Sequence, residues 1–251
     1  MTTASAHQID RVAPARRPEA AAVMRQRWAR LAFLHWRVAP EEVQRLLPTG
    51  LTLDTFDGEA WVGLVPFVVT GARPALLPPV PGLSRFDEVN VRTYVHFRGR
   101  DPGVWFFSLD ASSRVAVAVA RALFKLGYRF ARIRAEEEDA GRVRFESQRV
   151  SPGPRPAGCA IEYAPHGPVR HAVPDTLEHF LVERYILYAT DGSRLYQGRV
   201  HHEAYPLQEA TVTGLREDLV AAAGITRAPA EPLVHYASEV NVEVFPLREL
   251  G

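Results

Sequence analysis

Residues 86–134 read FDEVNVRTYVHFRGRDPGVWFFSLDASSRVAVAVARALFKLGYRFARIR, and the fold is decided there. From Glu88 the side chains alternate. Glu88, Asn90, Arg92, Tyr94 and His96 share one face, and Val89, Val91, Thr93, Val95 and Phe97 share the other. Such a strand buries one face and sets a row of hydrogen-bonding groups on the other. The segment Arg98 to Gly103 turns the chain, and Val104 to Leu109 is a nearly continuous apolar run, the pattern of a strand covered on both sides. Asp110, Ser112 or Ser113 can cap a following helix, and Gly127 can close it. Tyr128 to Arg134 then returns as a strand.

Working outward, Gln26 to Val38 reads as a strand, and Pro40 to Leu47 as a short helix with proline in its first turn and glutamates at its favoured end. Leu51 to Asp54 and Glu59 to Val69 predict a hairpin across Phe56-Asp57-Gly58. Gly71 to Gly82 is a proline-stiffened loop, either the rim of a pocket or plain surface. Beyond the central stretch come an acidic turn at 136–141, a half-exposed strand from Arg142 to Val150, a proline loop at 151–158 and a short strand from Cys159 to Tyr163. A capping box at Asp175–Glu178 opens a helix running to about Glu183. Asp191-Gly192 centres a hairpin of Arg184–Thr190 with Arg194–His202, and the segment 211–223 holds a short helix ended by Gly224. His235 to Phe245 reads as the last strand. Many strands, few short helices and no βαβ rhythm define a β-rich α+β domain.

The chain has 251 residues, 47% of them hydrophobic, with no linker dividing its middle. The expectation is a mobile tail over residues 1–22 and one domain over 23–251. Thirty basic and 29 acidic residues leave a net charge of +1, which argues against a nucleic-acid-coating protein or an anionic-membrane binder. Cys159 is the sole cysteine, which excludes an intrachain disulfide framework and a thiolate zinc site built by this chain. With no apolar run of membrane-spanning length and no hydrophobic signal core, a cytoplasmic protein is expected. Lys125 is the sole lysine, so lysine-dependent chemistry runs through it or not at all.

P-loop, GxGxxG, HExxH, GxSxG and CxxC signatures are absent, so neither a nucleotide cofactor nor a metal is expected. His201 and His202 are adjacent, hence on opposite strand faces and poorly placed for joint ligation. The face of Glu88, Asn90, Arg92, Tyr94 and His96 mixes an acid, an amide, a guanidinium and two amphipathic rings. A solvated sheet face with cross-strand ion pairs would look alike, but this mixture also suits a pocket that orients a polar ligand. Arg121 and Lys125 lie one helical turn apart with Arg114 on the same side; the alternative there is a basic solvent-facing stripe.

The run ARALFKLGYR, residues 120–129, resembles a segment of acetoacetate decarboxylases reading roughly G-R-E-L-aromatic-G-x-P-K-K, with Arg121, Leu123 and Phe124 on its Arg, Leu and aromatic positions. Phe86-Asp-Glu88 resembles the aromatic-x-Glu that supplies an active-site acid in that superfamily. More closely, residues 24–246 are similar to the YqjF-like family, a bacterial relative of those decarboxylases. The match is carried by 61–67 (WVGLVPF), 88–94 (EVNVRTY), 102–110 (PGVWFFSLD), 183–185 (ERY) and 200–202 (VHH). The resemblance implies an acetoacetate-decarboxylase-like fold, antiparallel sheets in a cone-shaped barrel around a central cavity, in a superfamily whose members often assemble as homo-oligomers.

The departure from the motif is as informative. Its two lysine positions are Tyr128 and Arg129 here, and neither side chain forms an imine. What remains is a lyase-like reading without a Schiff base: Glu88 as base, Tyr128 as acid or hydrogen-bond donor, and Arg121 or Arg92 holding a carboxylate or enolate. Asn90, Arg92, Tyr94, His96 and Lys125 are the expected ligand-binding set, for a keto or carboxylic compound. Two alternatives stand beside this one: a binding protein without catalysis, and a structural protein whose cavity is filled by its own side chains.

Overall fold

A computed structural model describes residues 9–82, 84–138, 141–151 and 157–251. Parts of the expected tail (1–8), acidic turn (139–140) and proline loop (152–156) lie outside the described residues. In chain order the elements are β1 (Met24–Val38), α1 (Pro40–Leu46), β2 (Leu51–Leu53), β3 (Ala60–Pro74), β4 (Phe86–Phe97), β5 (Arg100–Ala111), α2 (Arg114–Phe124) and β6 (Tyr128–Glu137). They continue with β7 (Val143–Ser151), β8 (Gly158–Arg170), α3 (Leu177–Val182), β9 (Ile186–Thr190), β10 (Leu195–His201), β11 (Leu207–Glu217), α4 (Leu219–Ala222), β12 (Leu233–Val244) and β13 (Arg248–Leu250). The β-rich α+β domain read from the sequence is what folds.

Its sheet closes twice. One ring runs β5-β6-β7-β8-β11-β12-β1-β3-β4 and returns to β5; a smaller one runs β5-β9-β10-β12-β1-β3-β4 and also returns to β5. Strands β1, β3 and β4 therefore belong to both rings and form a shared wall. That explains why they are buried on consecutive rather than alternate residues: Leu31 to Trp36, Ala60 to Val69 and Glu88 to Val95 are buried throughout. Ala32, Leu34, Leu64, Val89 and Val91 pack with Phe145, Ile161 and Tyr163 inside the larger ring. Leu31, Phe33, Val65, Phe67 and Tyr94 pack with Val200, Ala237 and Val242 inside the smaller ring. The polar face of β4 thus points into the smaller ring rather than into solvent.

Five local expectations change. The hairpin across residues 56–58 does not form; β2 pairs with β4 through Leu51↔Phe97 and Leu53↔Val95, and a single bridge joins Phe56 to Glu59. One βαβ unit exists: β5 and β6 run parallel, joined by α2, with Leu109↔Tyr128 in register. Helix α2 starts as read, the Ser113 hydroxyl accepting from Ala116 N at 3.2 Å, but it ends at Phe124 with Lys125, not Gly127, in the left-handed cap at φ 52°. Of the stretch read as a tail, residues 9–22 run along the domain. Arg11 bonds Asp54, and Arg199 donates to the Pro14 and Arg16 carbonyls. The turn read over Arg98 to Gly103 shrinks to Arg98 and Gly99, at φ 51° and 73°, a two-residue link that matches strand twist, and Arg100 to Gly103 already belong to β5.

Candidate active site

The site is set by three neighbouring strands. Asn90 pairs with Leu109, and Leu109 with Tyr128, so these three share one face, and Glu88 lies two residues from Asn90 on it. The chain leaves α2 at Lys125, turns with Tyr128 N donating to the Leu126 carbonyl at 2.8 Å, and so delivers Tyr128 as the first residue of β6. Its phenol donates to Glu88 Oε2 at 2.9 Å. Phe67, directly across from Glu88 on β3, is buried in the apolar cluster of the smaller ring, which keeps the surroundings apolar.

Glu88 is 3% exposed, and burial pushes its carboxyl up to about 8, against the pull of the Tyr128 hydrogen bond and with help from the Asp110 charge. Burial and the neighbouring Glu88 push the Tyr128 hydroxyl well above its ordinary value. At neutral pH the dyad is therefore protonated and uncharged. Beside it, Asn90 Oδ1 and Arg92 Nε are buried without a partner among the described residues.

Further down the same face the polar groups are occupied by the protein itself. Arg92 Nη2 donates to the Leu181 carbonyl of α3 at 2.9 Å, and the Tyr94 hydroxyl donates to the same oxygen at 2.6 Å. With its one proton used, Tyr94 accepts from His35 Nε2 at 2.7 Å, which fixes that nitrogen as the protonated one. Burial holds His35 well below the usual imidazole range, so it is neutral. Arg184 meets Asp54 at 3.2 Å and donates to the Phe180 carbonyl, so α3 is bound into the smaller ring.

The expected site residues therefore fall in different places. Glu88 and Tyr128 are in contact, with Asn90 and Arg92 on the same face. Tyr94 is committed to α3 and His35. His96 is half-buried at the β4–β5 turn, where its Nδ1 accepts from Gly99 N. Arg121 and Lys125 are exposed on α2, outside this cluster.

Two further arrangements escaped sequence reading. Arg149 reaches from β7 to Asp110 on β5, its Nε 2.9 Å from Oδ2, on the opposite face of the sheet from Glu88. A signal was present: Arg149 follows Val143, Phe145 and Ser147 in phase on the buried side of its strand. The second joins the motifs at 183–185 and 200–202. The Tyr185 hydroxyl donates to Glu183 Oε2 at 2.5 Å, and the Tyr185 ring stacks on His202 at 4.5 Å. Burial holds His202 down at about 4. A cleft of about 740 Å³ opens beside His201, His202 and His171, and another of about 620 Å³ along β6–β8; neither is lined by Glu88, Arg92 or Tyr128. Among the described residues no cluster of three or more His, Cys, Asp or Glu side chains could hold a metal, and no helix is long and apolar enough to cross a membrane.

The fold is of the acetoacetate-decarboxylase-like class, as its solved neighbours show. The chain aligns with a solved acetoacetate decarboxylase of Legionella pneumophila at a TM-score of 0.62 and 12% identity, over 94% of this chain and 92% of that one. It aligns with the enduracididine biosynthesis enzyme MppR at 0.64 and 14%, over 92% and 89%. Within that class the chain belongs to the family described as "Uncharacterized conserved protein (COG2071)", DUF2071, which residues 25–241 match. It is 38% identical over 232 residues to "Uncharacterized protein YqjF" of Bacillus subtilis strain 168, covering 92% of this chain and 94% of that protein.

Proposed function

We propose that the Glu88–Tyr128 site binds a small keto or carboxylic compound and moves a proton on it without forming an imine. The observation that carries this reading is the buried contact of 2.9 Å between an acid and a phenol where the decarboxylase motif has its lysine. Strand alternation sends the two motif positions to opposite faces, Tyr128 to Glu88 and Arg129 to the side of Asp110. Lys125 is exposed at the end of α2. In the deprotonated form Glu88 takes a proton from the carbon beside a ketone. Tyr128 then donates its hydrogen bond to the developing enolate oxygen, and Glu88 returns the proton. A structure of MppR, which shares the fold, holds pyruvate, a ligand of the class proposed here.

The test is exchange of the methyl protons of pyruvate for deuterium, followed by NMR in heavy water. Exchange above background should rise with pH and level off past about 8, as Glu88 ionises, and vanish in Glu88→Gln. Borohydride trapping with intact-mass readout should show no adduct; an adduct lost in Lys125→Ala overturns the reading. A second reading, binding without catalysis, is favoured by the commitment of Arg92 and Tyr94 to the Leu181 carbonyl, which leaves few polar groups free to act. Pyruvate that raises the melting temperature but never exchanges selects it.

A further inference from the structure

Arg149 carries a guanidinium whose side chain is 1% exposed, paired with an Asp110 side chain that is 0% exposed. The pairing uses one edge only. Both Asp110 oxygens lie on Nε, at 3.1 and 2.9 Å, while Nη1 and Nη2 are buried with no acceptor among the described residues. Four N–H bonds of a fully desolvated cation are thus left unmade, an arrangement that costs more than the loss of any neutral hydrogen bond. Three more groups on the same inner face of the larger ring sharpen this. Ser147, two residues before Arg149, and Ser108, two before Asp110, have buried hydroxyls without partners among the described residues. Arg129 stands in register with Asp110, close enough that the charge of Arg149 adds to burial in lowering its pKa. Asp110 thus has two guanidinium groups near it, the buried Arg149 and the half-buried Arg129.

We propose that this cluster is a second ligand site, in which the free Nη1/Nη2 edge of Arg149, with Arg129 beside it, takes a small oxyanion, a carboxylate or a phosphate, in the two-pronged geometry that guanidinium offers. The site stands apart from the Glu88–Tyr128 dyad, because the two occupy opposite faces of the β5–β6 pair. The cleft of about 620 Å³ along β6–β8 borders it, lined by Ala131 and Ser147 next to Arg149 and by Arg132 and Arg216.

The test is thermal melting of the intact chain in sodium phosphate and in sodium acetate, each against sodium chloride at matched ionic strength. A saturable, anion-specific rise in melting temperature is expected, with half-saturation moved to about tenfold higher concentration in Arg129→Gln. In Arg149→Lys, which keeps the charge but loses the fork, the rise should be lost, whereas in Glu88→Gln it should be unchanged. A rise with acetate alone narrows the ligand to carboxylates, and a rise with phosphate alone to phosphates. Should Arg149→Lys fail to fold, Arg129→Gln carries the test. No anion-specific rise in the unaltered protein overturns the proposal, and so does a rise that Arg129→Gln leaves in place.

Discussion

Glu88 and Asp110 are buried carboxyl groups on paired strands, 3% and 0% exposed, yet their partners give them opposite states. Asp110 faces a guanidinium at 2.9 Å; Glu88 faces only a phenol. Burial raises the proton affinity of both, but Arg149 opposes the rise at Asp110 through a hydrogen bond and a full charge, while at Glu88 only the Tyr128 hydrogen bond opposes it. The lesson is that a buried acid is read by its partner. One strand face holds a fixed ion pair that ties β5 to β7. The other holds a removable proton near pH 8 in an apolar setting, which is what acid–base chemistry on a ketone needs.

The largest effect that would break this contrast comes from Arg149→Met. It takes from the buried Asp110 its hydrogen-bonded partner and should cost about 3–5 kcal/mol in urea unfolding, with most of it recovered in the double variant with Asp110→Asn. The exposed Arg144–Glu162 pair, closer at 2.6 Å, should cost less than about 1 kcal/mol when Arg144 is changed to Met. Equal losses at the two sites would mean that burial does not distinguish them. Next is Glu88→Gln. The folded state binds the Glu88 proton more tightly than the unfolded chain does. Its stabilising contribution is therefore intact below about pH 4.5, declines as pH rises, and is gone past about 8. Glu88→Gln should thus gain a few kcal/mol on the unaltered protein between pH 5 and pH 9. A difference that stays flat across that range would place Glu88 in an ordinary, solvated setting.

Much of this was legible because it is local. The alternation of β4, the cap at Ser113 and the turn at Asp191-Gly192 need only neighbours in sequence to be read. The Glu88–Tyr128 pair was reachable through the family motif. The use of Arg92 and Tyr94 was not, since it depends on where α3 lands: Leu181 is 89 and 87 residues away. Double burial of the shared wall was hidden for the same reason, because ring closure through β4–β5 and β10–β12 is a long-range event. The failed hairpin at residues 56–58 shows the limit of turn signals. β2 has only three residues, and the unoccupied edge of β4 took them in preference to β3.

Two smaller changes sharpen the account. Tyr128→Phe removes the hydrogen bond that lowers the Glu88 pKa, so in that background the pH at which the stability gained by Glu88→Gln levels off should move above about 8, with a loss near neutrality of about 1 kcal/mol. A downward move would mean that the phenol does not donate to Glu88. The smallest effect is at Lys125, the exposed residue that closes α2 at φ 52°, a conformation costing a residue with a Cβ about 1 kcal/mol relative to glycine. Lys125→Gly should therefore raise the melting temperature slightly, and deuterium exchange into pyruvate should proceed as before. Exchange lost with the fold intact would show that the sole lysine reaches the chemistry after all, and the imine-free reading of Glu88 and Tyr128 would fall with it.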